Sequence, residues 1–237
     1  MKNKILLSLF TCMTMFLLSS CSDEEYTDTR ITYYPVLTIT GDEFVQVPIG
    51  SEYNDAGCTA KLMGEDYSSH VVVEGLEDID VNKAGLYYVT YYATNPDGYT
   101  RSTTRTVAVC DPNITTDISG TYTVQSGSYR LYNGKQTAYS GYTVTFTYAA
   151  PGIFEVSDWM AGWYDQRAGY GSSYAMKGYA QLLEDNTIQI LSGDVAGWGD
   201  SYESFENGAY DPETNTLTWD VTYTDYGFVF HVIATNE

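Results

Sequence analysis

The residues of this chain best suited to chemistry at a surface are aromatic rings and carboxylates set among glycines. Residues 157–171 read Ser-Asp-Trp-Met-Ala-Gly-Trp-Tyr-Asp-Gln-Arg-Ala-Gly-Tyr-Gly, so Trp159, Trp163, Tyr164 and Tyr170 fall close together. A second glycine-rich segment, residues 192–200, carries Trp198 and ends at Asp200. Flat rings stack on the apolar faces of sugars while neighbouring Asp, Asn and Gln bond their hydroxyls, and the same kind of surface suits a peptide backbone. Trp163, Tyr164, Tyr170 and Trp198 are therefore the expected ligand platform, with Trp159 and Asp200 beside them. The competing arrangement has these rings plugging the mouth of a barrel. Trp159 ends a strand and is a candidate for the core on either reading. Trp219 alternates with Leu217 and Val221 and is expected to be core.

Asp158, Asp165, Asp194, Asp200 and Glu203 lie near the same rings. Two carboxylates at the right separation are all that glycoside hydrolysis needs, and carboxylates also bind calcium. However, the chain holds 31 acids, so such clusters arise from composition alone, and no EF-hand spacing occurs. Only two histidines are present, His70 and His231, and there is no HExxH, Gly-x-Ser-x-Gly, Cys-x-x-Cys or phosphate-loop pattern. His231 reads as a hydrogen-bonded wall residue of the last strand and His70 as a strand flank. The expectation is a protein that is not an enzyme and has no cofactor or resident metal. A glycan hydrolase is the remote alternative.

The elements that must present these residues are strands. Tyr, Thr and Gly are abundant, charge is modest and no long helical period appears. Residues 157–171 follow neither a period of 2 nor one of 3.6 and read as a loop. Around it the alternation is clean: Tyr142, Val144, Phe146 and Tyr148 share one strand face, and Leu217, Trp219, Val221 and Tyr223 another. Further strands are expected at 120–125, 128–132, 153–156, 174–183, 187–191 and 228–234, with turns at Asp185-Asn186 and residues 211–215. Eight or nine strands in a meander from residue 114 to 237 predict an antiparallel barrel, lipocalin-like, in preference to a sandwich.

Residues 36–111 form a separate unit, bounded by Asp111-Pro112-Asn113. Its six or seven short strands in about 75 residues follow the pattern of an immunoglobulin-like sandwich. In residues 85–94, Tyr87, Val89, Tyr91 and Ala93 are expected to face the core, with Tyr87 as a corner tyrosine. The strand near residues 44–48 should run parallel to the last strand, placing Cys58 and Cys110 at one end of the domain. A disulfide between them would close about 50 residues and contribute roughly 2–4 kcal/mol. The alternative is two free thiols.

The first residues carry a targeting signal. Lys2 and Lys4 precede an apolar run over residues 5–18, too short for the roughly 20 residues of a membrane span, so residues 1–20 read as a signal peptide. Leu18-Ser19-Ser20-Cys21 resembles the lipobox of bacterial lipoproteins, which implies acylation of Cys21 and a flexible tether over residues 21–35. Ser22-Asp23-Glu24-Glu25 resembles the surface-export signal of Bacteroidetes lipoproteins. The formal net charge is −20; cleavage removes two lysines and no acid, leaving 9 basic and 31 acidic residues, or −22. Such a field repels phosphate backbones, so nucleic acid is not an expected partner.

Two family resemblances follow from motifs. Pro35-Val36-Leu37-Thr38-Ile39-Thr40-Gly41-Asp42, Asn54-Asp55-Ala56-Gly57-Cys58, Ala84-Gly85-Leu86-Tyr87-Tyr88 and Thr104-Arg105-Thr106-Val107 resemble the bacterial surface Ig-like domain DUF5011. Ile118-Ser119-Gly120-Thr121-Tyr122, Asp185-Asn186-Thr187-Ile188 and Gly197-Trp198-Gly199-Asp200 resemble DUF5012, an all-β domain of Bacteroidetes lipoproteins. The resemblance implies a partner in a starch-utilisation-type outer-membrane transporter and brings no ligand residues with it. Anchored at the cell surface, the chain is expected to capture glycan, or oligopeptide, for that transporter, with the Ig-like domain as a spacer. The alternative is a structural, assembly or adhesin-like lipoprotein without a small ligand.

Overall fold

The computed structural model describes residues 31–223 and 227–236. The expected signal peptide, Cys21 and the first part of the expected tether lie outside the described residues. Two β domains follow one another. The first comprises β1 (Val36–Ile39), β2 (Phe44–Pro48), β3 (Cys58–Leu62), β4 (Glu65–Asp66), β5 (Val71–Glu74), β6 (Gly85–Thr94) and β7 (Thr100–Cys110). They form two sheets, β1-β3-β4 and β2-β7-β6-β5, with β2 parallel to β7 as expected for such a sandwich.

The core of this sandwich is built by alternation. Val89, Tyr91 and Ala93 of β6 are buried, and Val107 and Val109 of β7 join them. The Tyr87 hydroxyl donates to Lys83 O at 2.9 Å, tying the start of β6 to the preceding loop as a corner tyrosine does. At the centre, buried Arg105 pairs with Asp55, which also accepts from the Tyr91 and Tyr53 hydroxyls at 2.7 and 2.8 Å. Burial alone would raise the Asp55 carboxyl, but those hydroxyls and the Arg105 charge hold it below the usual range.

The expected disulfide is absent: Cys58 and Cys110 are free thiols. Alternation explains why. Val107 and Val109 point into the sandwich, so Ala108 and Cys110 point out of it; Cys58 packs against the sandwich core, whereas Cys110 packs against the second domain. Sharing an end of the domain does not bring their sulfurs together. Thiol titration of the oxidised, denatured chain lacking residues 1–21 should therefore find two reactive groups; none would restore the bridge.

The end of the tether is also not free chain. Asn95 Nδ2 donates to Tyr33 O at 2.7 Å, and the Tyr34 ring lies 5.5 Å from Tyr99 and 4.4 Å from the Arg101 guanidinium.

The second domain comprises β8 (Gly120–Val124), β9 (Tyr129–Tyr132), β10 (Lys135–Ala138), β11 (Thr143–Ala150), β12 (Ile153–Val156), β13 (Lys177–Leu182), β14 (Ile188–Val195), β15 (Asp200–Asp211), β16 (Thr216–Tyr223) and β17 (Phe228–Thr235). Antiparallel pairing runs β8-β11-β12-β13-β14-β15-β16-β17, and Ala234↔Val124 and Thr235↔Thr123 join β17 back to β8. This is an eight-stranded closed barrel, with β9 and β10 as a hairpin laid on β17. Tyr122 repeats the corner device, donating to Ile118 O at 3.0 Å.

β15, the longest strand of the barrel, is not among the strands expected from the sequence. Register shifts at Tyr202/Ser204 and Glu206/Ala209 break its alternation, so its rings do not recur at period 2. β14 and β15 pair at only Asp194↔Ser201 and Val195↔Asp200, with one bridge farther along at Thr187↔Ala209. Phe205 sits at the loosened seam with its ring 5.1 Å from Trp159.

The two domains pack on each other. Phe44, Leu86, Ala108 and Cys110 of the sandwich meet Ala149, Ala150, Ile153, Tyr179 and Leu191 of the barrel wall, and Gln46 Nε2 donates to Ala149 O at 2.7 Å. The Ig-like domain thus buttresses the barrel wall.

Candidate functional site

The aromatic stretch divides into a plug and a rim, and Asp158 makes the division. Its side chain is buried at the end of β12; Oδ1 accepts from Met160 N and Met176 N, both at 2.9 Å, and Oδ2 from Gly162 N at 2.7 Å. Burial pushes its carboxyl up to about 7, with the Asp165 charge adding to the rise and the three N–H groups opposing it. One side chain thereby ties both ends of residues 158–176 together. Within that span Ala161 and Gly162 take positive φ, 49° and 82°, and turn the chain inward. A Cβ on Gly162 would stand 2.7 Å from Tyr142 Cβ, so glycine is required on space as well as on φ.

The inward turn puts Trp159 and Trp163 inside the barrel, 0% and 3% exposed. Trp159 Nε1 donates to Ser192 O at 2.9 Å, and Trp219 Nε1 donates to Trp159 O at 2.8 Å, so the buried indole N–H groups of Trp159 and Trp219 are satisfied. Trp163 opens a single π-type helical turn, Trp163–Arg167, and its ring lies 4.1 Å from the Arg167 guanidinium and 4.6 Å from that of Arg130. Gln166 anchors this turn to β11, accepting from Thr143 N at 3.0 Å and donating to Thr143 O at 2.7 Å. Trp163 therefore leaves the expected platform: it is core, because the chain reverses at Ala161 and Gly162 in a way no period in the sequence reveals. Trp159 leaves the expected ligand-binding set as well: it ends a strand and its ring is core.

The remaining rings form the rim. Tyr170 and Trp198 are 57% and 40% exposed, the first on the loop after the π-type turn and the second in the β14–β15 hairpin. Trp198 stands edge-on to Tyr164 and Tyr174, each 4.8 Å away, and to Tyr170 at 6.2 Å with the planes at 86°. The two exposed rings therefore form a corner and not a flat shelf. Half-buried Tyr164 supports both from below, and burial raises its phenol. Tyr223 lies 5.9 Å from Trp198 and donates to Asp200 Oδ2 at 2.9 Å, so Asp200 keeps its place beside the rings. Tyr174, which the sequence does not single out, completes the support. Its signal was Gly197: a Cβ there would meet the Tyr174 ring at 2.7 Å, so this glycine marks a close approach.

The other candidates disperse. Asp158 lies under the plug, Asp194 is exposed on the wall, and Glu203 is exposed on β15. His231 Nδ1 is 2.7 Å from Asp220 Oδ1, Asn207 donates to Asp220 Oδ2 at 2.7 Å, and the His231 ring stacks on Tyr129 at 5.0 Å, the setting of a wall residue. His70 stacks on Tyr67 at 3.8 Å beside β5. Among the described residues no group of His, Cys, Asp and Glu could hold a metal.

Comparison with known proteins places the chain. Residues 37–109 match the family model for the Ig-like domain of bacterial surface proteins, and residues 111–236 match a family model for a C-terminal domain. The lipoprotein BT2262 from Bacteroides thetaiotaomicron is 41% identical over 86% of this chain and 100% of its own, with a TM-score of 0.49. A multidomain protein including DUF1735 from Bacteroides ovatus is 13% identical over 86% of this chain and 79% of its own, with a TM-score of 0.30. The CBM51-2 and INT domains of Clostridium perfringens ZmpB, solved with GlcNAc, are 20% identical over 51% of this chain and 29% of theirs, with a TM-score of 0.27. No curated protein matches the chain. Sequence identity over the whole length of the Bacteroides lipoprotein, with a family model spanning the second domain, shows that the chain belongs to the family of that lipoprotein.

Proposed function

We propose that this protein is a lipid-anchored accessory protein of the outer-membrane surface, one that captures glycan at the barrel rim for a neighbouring starch-utilisation-type transporter. The observation that carries the reading is the open corner of Tyr170 and Trp198, two exposed rings held in place by Tyr164, Tyr174 and the Tyr223–Asp200 hydrogen bond. Exposed rings with a fixed orientation and an adjacent carboxylate suit the apolar face and hydroxyls of a neutral sugar. The charge of −20 disfavours anionic ligands and nucleic acid. Cys21 is the acylated residue on this reading, and the acids after it direct export; the Bacteroides relative is itself a lipoprotein. The DUF5011 and DUF5012 resemblances belong to the same reading. Capture without hydrolysis fits an Asp158 whose oxygens are taken by backbone N–H groups.

A glycan array, with a peptide pool in parallel, tests this. Trp198→Ala should weaken glycan binding about tenfold or more, the loss of roughly 1.4 kcal/mol expected at a central aromatic contact. Tyr170→Ala should weaken it less, because that ring lies at the outer edge. Unchanged binding in both variants removes the assigned site, and binding of peptides without glycans transfers it to oligopeptide.

A further inference from the structure

A second cleft lies where the Ig-like domain meets the barrel wall, with a volume of about 420 Å³. On the barrel side, strand register sets Glu155, Tyr179 and Ser192 in one row across β12, β13 and β14, with Lys177 and Asp194 paired in the next. On the sandwich side, Tyr88 follows Leu86 by two positions on β6. It therefore points from the same face toward the barrel, and its phenol faces the Ser192 hydroxyl and the Asp194 carboxylate. Tyr88 is nonetheless 47% exposed, so its ring is a wall of the cleft and not a sealed contact.

The lining chemistry selects a class of ligand. Two carboxylates accept, an ammonium donates, and serine hydroxyls do both, between two phenol rings. An extended peptide would need a free strand edge, but β12 and β13 are paired on both sides and β14 pairs with β15 at Asp194 and Val195 beside the cleft, so most of this wall offers side chains and little open backbone. Vicinal hydroxyls on a ring with an apolar face match what is offered.

The cleft is also joined to the rim. Ser172 and Ser173 line it, and the next residue, Tyr174, supports Trp198. Ala196 lines it too, and at most about 7 Å of chain separates Ala196 from Trp198. Gly197 N donates to Ser173 O at 2.7 Å, locking the two segments together between cleft and rim.

We infer that the interdomain cleft is a second saccharide subsite, continuous with the Tyr170–Trp198 rim, and that the preferred ligand is an oligosaccharide long enough to occupy both. This rests on the glycan reading of the rim. It also gives the Ig-like domain a direct part in binding, through Tyr88. Two linked subsites convert the second contact into an intramolecular one, so affinity should climb with chain length.

Titration calorimetry on the full mature chain in detergent provides the test, with gluco-, manno- and xylo-oligosaccharides from disaccharide to octasaccharide as probes. The wild type should bind the longest member of its preferred series at least about tenfold more tightly than the disaccharide. Tyr88→Ala and Lys177→Ala should abolish that gain and leave disaccharide affinity unchanged. Glu155→Gln, exposed on the barrel wall, should reduce the gain even if Tyr88→Ala loosens the domain contact. A length gain that survives in all three variants overturns the subsite, as does a wild type that binds disaccharide and octasaccharide equally through Trp198; the rim reading outlives both results. A wild type that binds no saccharide of any length overturns the two together.

Discussion

Replacing Asp158 with alanine is expected to cost the barrel about 3 kcal/mol at neutral pH, because three backbone N–H groups lose their buried acceptor at once. Asp158→Asn should cost less, since one amide oxygen still serves Met160 and Met176 while its NH₂ faces Gly162 N. The pH dependence is more diagnostic than the size. A carboxyl raised to about 7 in the fold, against 3.8 in the unfolded chain, binds its proton more tightly when folded. Its contribution is therefore complete below about pH 4 and is lost as pH rises towards 7, a change of order 4 kcal/mol. Wild-type barrel stability should fall over that window, and Asp158→Asn should remove the slope. Denaturant melts followed by tryptophan fluorescence at a series of pH values measure this. Parallel slopes in the two proteins would mean that Asp158 does not titrate there.

Asp55→Ala should destabilise the Ig-like domain by about 3–5 kcal/mol, because it leaves the buried Arg105 guanidinium without its counter-charge. Its sign with pH is the reverse of Asp158. The Asp55 carboxyl is depressed in the fold, so its contribution is present above about pH 4 and is lost as pH falls through the folded value. The two effects separate by probe as well. Trp159, Trp163, Trp198 and Trp219 all lie in the barrel, so tryptophan fluorescence reports that domain alone. Asp55→Ala should lower the far-ultraviolet circular dichroism transition of the Ig-like domain while the tryptophan transition moves much less. A loss below about 1 kcal/mol would mean that water replaces the carboxylate.

These two acids also show what the sequence could and could not reveal. Strands whose residues alternate without interruption, β11 and β16 above all, are legible because one face is buried and the other is not. The same rule hid β15, where two register shifts reset the alternation. Tyr87 was legible because a corner tyrosine depends on contacts four residues away. Trp163 was not, because glycine-rich surroundings are equally compatible with a ring turned in or out. What decides is the inward turn at Ala161 and Gly162, fixed by an acid whose partners include Met176, far along the chain. Cys58 and Cys110 failed for a related reason: strand order places backbones, whereas bridging depends on which face each side chain takes. The rim survived in part, as Tyr170 and Trp198 with Tyr164 beneath them.

β17 sets the order in which the molecule can be made. It pairs with β16 along its whole length, with β9 at Val229–His231 and with β8 at Ala234 and Thr235. The Ig-like domain has all its strands once Cys110 has emerged and can fold before the rest of the chain follows. The barrel cannot: β8 is among the first of its strands to appear, and its edge waits for residues 234 and 235. Until then a half-made barrel leans on a finished neighbour, and that neighbour's outer face, Phe44 with Leu86, is the first apolar surface the emerging strands meet.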